Sequence, residues 1–208
     1  MARAFKRKGD RFVAKFDPIE RGVVAGLMEQ TKELVAPPTS EAQGAASGDE
    51  FDQLVAGLGV SVAADDQIPD SGQDLADRDP ALARLLPRAH QGDEQVAAEF
   101  RRLTEHDLRD RKAATLATAI DALLRPTGDR LELTRDQAQA VVVALTDTRL
   151  VLGERLGLRT DDDALHLDER VSGLDPDDAV VYAASLYDFL TWMQESLTTA
   201  LLGRGLFG

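Results

Sequence analysis

Cysteine is absent from this chain of 208 residues. That absence excludes disulfide staples, thiolate metal sites, cysteine nucleophiles and thiol redox switches together, and it fits a reducing compartment. Histidine is almost as scarce. His90, His106 and His166 stand 16 and 60 positions apart, and none belongs to a His-x-x-x-His or Glu-x-x-His pair. His106 and Asp110 lie one helical turn apart and supply two ligands where a stable metal site needs more. Long hydrophobic runs are also missing. Met1 to Lys15 is basic, without the continuous apolar stretch of a secretory signal. Runs such as Ala140 to Leu145 fall far short of the roughly 20 residues that span a bilayer. A cytoplasmic protein without a membrane segment is expected.

Chemical signatures are missing as well. The chain contains no Gly-x-Gly-x-x-Gly, no phosphate-loop lysine motif and no Gly-x-Ser-x-Gly. The acidic string from Asp161 fails the calcium-loop template: Leu165 stands at a ligand position, His166 at the glycine and Ser172 at the closing glutamate. Carboxylates are abundant, but nothing in their spacing selects an acid–base pair. The expectation is a protein with no cofactor, no metal and no enzymatic activity.

What is present is acid. Lys and Arg total 24 against 37 Asp and Glu, a net charge of −13. A chain so charged is repelled by nucleic-acid phosphates unless its cations are concentrated in one place. They are concentrated in residues 1–15, where six basic side chains face one aspartate, leaving the remainder near −18.

That basic segment reads as a β-hairpin, because Gly9-Asp10 is a two-residue turn signal between runs holding Phe5, Phe12 and Phe16. Pairing Lys8 with Arg11 sets Arg7 opposite Phe12 and Phe5 opposite Ala14. The two-residue period then segregates Phe5, Phe12, Ala14 and Phe16, with Arg3 and Arg7 among them, from Lys6, Lys8, Arg11 and Lys15 around Val13. A lone hairpin is marginal in water, so the phenylalanine face must pack on helices.

Helices account for most of the rest. Asp17-Pro18-Ile19-Glu20 is a capping box with proline at the first helical position, leading into Ile19, Val23, Leu27 and Leu34. Asp79-Pro80 starts a short helix through Leu82, Leu85 and Leu86. A long helix runs from about Asp93 to Arg125, and Thr134 to Gln137 caps another that ends at Gly157. Asp175-Pro176 opens the last helix, whose wide apolar surface suggests a central place in the bundle. The fold class is therefore mostly α: a helical bundle with a small N-terminal β-hairpin. Residues 1–35 form the hairpin and first helix, packed on the core. Residues 36–78 form long acidic, flexible loops with a short helix near Phe51 to Leu58, and 79–208 form the helical core of one structural domain.

Two groups of residues stand out as candidate sites. Lys6, Lys8, Arg11 and Lys15 share one hairpin face and suit phosphates or an acidic protein surface; the competing reading is a solvated outer face, or a cover that docks on the chain's own acidic segments. In the long helix an apolar stripe of Val96, Phe100 and Leu103 resumes at Ala114, Ala117, Ile120 and Leu124. Between them it passes over Asp107, Asp110 and Arg111. Buried ionisable groups need partners, so these residues either surface locally or meet Asp147 and Arg149 of the following helix in a buried polar network. A structural salt-bridge network is the blander reading, and a polar pocket the functional one.

The core strings complete the picture. Asp79 to Pro87 (DPALARLLP), Glu99 to Glu105 (EFRRLTE), Asp147 to Gly153 (DTRLVLG) and Tyr187 to Leu197 (YDFLTWMQESL) resemble an actinobacterial domain-of-unknown-function family across most of the chain. The resemblance implies a cytoplasmic protein, and some members are described as transcriptional regulators of the oxidative-stress response acting with an alternative sigma factor. It implies no catalytic residues. A cysteine-based sensor cannot transfer to a chain without cysteine. The leading expectation is an interaction or regulatory module whose partner is a protein, such as a sigma factor or another part of the transcription machinery. Direct DNA binding through the hairpin is the alternative, and an enzyme with a carboxylate-lined pocket a distant third.

Overall fold

A computed structural model describes residues 2–36, 79–86 and 94–203, without the side chains of residues 94–103, 161 and 168. The expected loops at 36–78, with their short helix, and His90 lie outside the described residues apart from Ala36. The order is β1 (Arg3–Lys8), β2 (Arg11–Lys15), α1 (Pro18–Val35), α2 (Pro80–Leu85), α3 (Glu94–Leu124), β3 (Arg130–Leu133), α4 (Arg135–Arg155), α5 (Asp161–Leu165), α6 (Leu167–Val171) and α7 (Ala179–Leu202). The fold is mostly α with a small antiparallel sheet.

The hairpin forms at the expected turn. Gly9 has φ +64°, and no other described residue but glycine has positive φ, which is the pattern of a type II′ turn with glycine first. Lys8 pairs with Arg11, Arg7 with Phe12 and Lys6 with Val13, as expected. The register then slips, and Arg3 pairs with Lys15. Between those pairs Ala4 and Phe5 of β1 stand against Ala14 alone, a one-residue bulge, so the expected Phe5–Ala14 pair does not form.

The hairpin is not alone. β3 pairs with β2, setting Leu133 against Phe12, Glu132 against Val13, Leu131 against Ala14 and Arg130 against Lys15, and giving a sheet ordered β1-β2-β3. Phe5, Phe12, Ala14, Leu131 and Leu133 line the buried side of this sheet, with Phe16 just beyond the end of β2. Phe16 donates its backbone N–H to the Asp129 carbonyl (2.8 Å), which ties the strand exit to the loop before β3.

The helix starts follow their sequence signals. Asp17 accepts from the Glu20 N–H (2.8 Å), and the Glu20 carboxylate accepts from the Asp17 N–H and the Ala2 N–H (2.9 Å each). Thr134 and Gln137 form the same reciprocal box at α4 (3.2 and 2.9 Å). The last helix begins later than expected, with Asp178 rather than Asp175 as its cap.

Two apolar stripes are rotated from their expected positions. In α1 the buried residues are Arg21, Val24, Ala25, Leu27, Met28, Thr31 and Val35, while Ile19 is exposed. In α3 the buried ones among the described side chains are Leu116, Ala119, Ala122 and Leu123, while Ala114, Ala117 and Leu124 face solvent. Each helix carries two apolar i, i+3/i+4 sets, and packing selects the one that meets its neighbours. The centre of the bundle is also different. α4 packs against α1, α2, α3 and α7 and touches β2 and β3, whereas the chief contacts of α7 are α4 and β1. The wide apolar surface of α7 is therefore divided. Leu190, Met193 and Leu197 are buried, and Tyr182, Trp192 and Leu202 are not.

One core cluster unites the sheet with α1, α3, α4 and α7. A smaller one joins Val35, Leu85 and Leu86. Ion pairs fasten it: Arg84 Nε to Glu154 (2.9 Å), Arg159 to Glu154 (2.7 Å) and Arg155 to Asp79 (2.6 Å).

Candidate functional site

With its phenylalanine side sealed, the sheet leaves the opposite side exposed. Lys6, Lys8, Arg11 and Lys15 are all exposed there, and Val13 between them is half-buried. Cross-strand partners share a face. Lys8 therefore lies beside Arg11, Lys6 beside Val13 and Glu132, and Arg3 beside Lys15 and Arg130. The bulge thus moves Arg3 from the phenylalanine side, where strict alternation puts it, to the basic one. Arg7 keeps its place opposite Phe12 but is exposed, its Nε donating to the Gly9 carbonyl (3.1 Å). β3 adds Arg130 and Glu132, which pair with each other, and Lys15 Nζ lies 3.1 Å from Asp129. Arg11 approaches Asp10 only to 3.9 Å. Arg3, Lys6 and Lys8 make no ion pair among the described residues.

The second candidate group separates. Asp107, Asp110 and Arg111 are exposed, so the stripe of α3 turns to solvent there and these three form no buried network with α4. Arg111 donates to the Asp107 carbonyl of its own helix (3.2 Å), and Asp110 lies 3.4 Å from exposed His106. Asp147 is buried at 3% exposure, and its partner is Lys112, one residue past the triplet, at 2.7 Å. The other oxygen of Asp147 has no partner among the described residues. Arg149 points away from α3: it donates to Gln194 (2.8 Å) and to the Tyr187 hydroxyl (3.3 Å), its guanidinium 5.0 Å from the Tyr187 ring centre. It borders an open groove of about 400 Å³ shared with Gln194, Glu195, Thr198 and Thr199. With two of the three aspartates at the surface, they line no common pocket.

Among the described residues two carboxylates have displaced acidities, and both serve structure. Glu154 is desolvated, which works against its charge. Hydrogen bonds from Arg84 and Arg159 outweigh that and hold its carboxyl below the usual range. Asp163 is held low chiefly by the Thr160 hydroxyl, then by the backbone N–H groups of Thr160 and Arg159. It spends its oxygens capping α5. Among the described residues no group of three or more His, Asp or Glu gathers into a metal site. No described helix is long and apolar enough to cross a membrane.

Sequence reasoning missed β3 and the Arg3 shift. The first had a signal, the alternation of Arg130-Leu131-Glu132-Leu133 after Pro126 and Gly128; the second had none.

The architecture defines a mostly α protein that presents a small, basic antiparallel sheet face on an acidic body. The chain belongs to the family described as a domain of unknown function (DUF2017), whose model matches residues 2–201. Proteins named "Oxidative stress regulator AosR" from Mycobacterium tuberculosis and Mycobacterium bovis are similar, at 32% identity over 138 residues, covering 60% of this chain. The match spans 59% of the length of those relatives. No solved structure matches. A regulatory role is thus supported at the level of the family.

Proposed function

We propose that this protein is a non-enzymatic regulator that works by binding another protein, a component of the transcription machinery, through the outer face of its sheet. The observation that carries this reading is the concentration of cations on an exposed sheet face of a chain with net charge −13. A sheet needs one buried side for stability, and the other is free to recognise. The name of the mycobacterial relatives supports a regulatory role. The mechanism is not a thiol switch, because the chain has no cysteine.

Affinity purification of the full chain from its own cells tests the reading. A stoichiometric protein of the transcription machinery is expected with the wild type and lost when Lys6, Lys8, Arg11 and Lys15 are replaced by Glu. Repeated failure to recover such a partner overturns it. The same face supports a second reading, direct DNA binding, which requires salt-sensitive duplex binding by the wild type that the same replacements abolish.

A further inference from the structure

We infer that the partner docks at the end of the sheet where Arg3, Lys15 and Arg130 lie side by side, through an acidic segment that places an apolar side chain against Trp192. This rests on the outer face being the partner surface, and it locates the contact within that face and names its chemistry.

The bulge is the first observation. By pairing Arg3 with Lys15 it sets three cations in one line across all three strands. Like charges directly opposite one another weaken a sheet, so their juxtaposition does not itself stabilise the fold. Asp129 and Glu132 offset Lys15 and Arg130, and Arg3 remains without an ion pair among the described residues.

The second observation is aromatic. Trp192 is 36% exposed. It stacks on Phe189 with ring centres 5.8 Å apart and meets the edge of Phe16 at 6.1 Å. Phe16 directly follows Lys15, and Phe16 also meets Phe5 at 5.5 Å, so the tryptophan stands at the Arg3–Lys15 end of the sheet. A rigidly held, partly exposed tryptophan at the end of the sheet that carries Arg3 and Arg130 has the composition of an interface hot spot. The hairpin tip offers no equivalent. Lys8 and Arg11 sit there beside Asp10, with no described aromatic contact.

Charge decides the kind of partner. A nucleic-acid duplex extends its phosphates past so small a face and onto an acidic body. A short acidic protein segment ends within the face, and its apolar residue has Trp192 and half-buried Val13 to cover.

Trp192 is the single tryptophan of the chain, so its emission reports on this end alone. The test titrates the full protein with a synthetic, tryptophan-free peptide of Asp and Glu interspersed with Leu and Phe. A control peptide has Ser in place of Leu and Phe, and a short DNA duplex is the third probe. The Leu/Phe peptide is expected to bind and move Trp192 emission to shorter wavelength. Arg3→Glu with Lys15→Glu, or the Ser peptide, weakens binding by about tenfold or more; Lys8→Glu with Arg11→Glu weakens it by only about twofold to threefold. Circular dichroism checks that each variant is folded. Equal losses from the two charge reversals, or binding without a Trp192 shift, overturn this location while leaving the outer face as the surface. No peptide binding alongside salt-sensitive DNA binding overturns both this location and the protein-partner reading. No binding of any probe overturns the location.

Discussion

The two sides of the sheet are built from alternate residues of the same three strands, and they obey different rules. The inner side is apolar at Phe5, Phe12, Ala14, Leu131 and Leu133, each at most 5% exposed and all in one core cluster. The outer side carries Lys6, Lys8, Arg11, Lys15, Arg130 and, through the bulge, Arg3, all exposed. Stability depends on the first, and the second is the face proposed for recognition. The difference is testable because a substitution on one side leaves the other untouched.

The largest effect belongs to the inner side. Phe12 is 2% exposed on the central strand, opposite Leu133. Phe12→Ala is expected to cost about 3–5 kcal/mol in urea unfolding, as deletion of a buried aromatic does. A loss below about 1 kcal/mol would mean that the sheet contributes little to the core.

The part of this inner side that the hairpin supplies, Phe5, Phe12 and Ala14, was legible in the sequence, and the reason is local. Gly9 dictates the turn, the turn dictates the register for its three nearest pairs, and a period of two then sorts the side chains. Capping boxes at Asp17 and Thr134 were readable for the same reason, since each is complete within four residues. What could not be read depends on distant neighbours. The alternation of β3 is visible in the sequence, but its four residues become a strand only with β2 beside them. The bulge falls beyond the three pairs that the turn dictates, where no local signal reaches. The buried faces of α1 and α3 are chosen by which helix each meets. Lys112 was overlooked for Arg111 because one position along a helix turns a side chain by about 100°, and only the placement of α4 says which residue meets Asp147.

A charged residue can nevertheless belong to the inner side, and Arg21 sharpens the boundary. It is 3% exposed on α1 and donates to the carbonyls of Gly128 (2.6 Å) and Pro126 (2.7 Å) in the loop that delivers β3. Arg21→Ala is expected to cost about 1–3 kcal/mol by leaving those carbonyls unpaired. Arg21→Met, which restores the stem but not the donors, should recover only a minority of that loss in the same unfolding measurement. Full recovery by Met would mean that packing alone holds the loop.

Away from the sheet, Glu154 shows what a charge must have in order to stabilise. Its side chain is 6% exposed and takes hydrogen bonds from Arg84 and Arg159, and its acidity is raised despite burial. The folded pKa lies below the unfolded value of about 4.5, so the contribution is fully present above that pH and is lost as pH falls through the folded pKa. Thermal unfolding of wild type and Glu154→Gln should therefore differ at neutral pH and converge as pH drops below about 4.5. A difference that is constant across this range would mean that the glutamate acts by shape rather than charge.

The smallest expected change is the most telling for the outer side. Arg3 is exposed, stands opposite Lys15 and makes no ion pair among the described residues. Its replacement by Glu removes a like-charge neighbour and sets an acid opposite a lysine. An exposed pair of this kind contributes only about 0.2–1 kcal/mol, reduced by salt. Stability measured by urea unfolding should thus stay within about 0.5 kcal/mol of wild type, shifted if at all toward the folded state. A cation kept for folding would give the opposite sign. Stability that is unchanged or slightly higher, together with weaker capture of the acidic peptide, would show that Arg3 is held on this face at a small cost to the sheet and in the service of what the sheet binds.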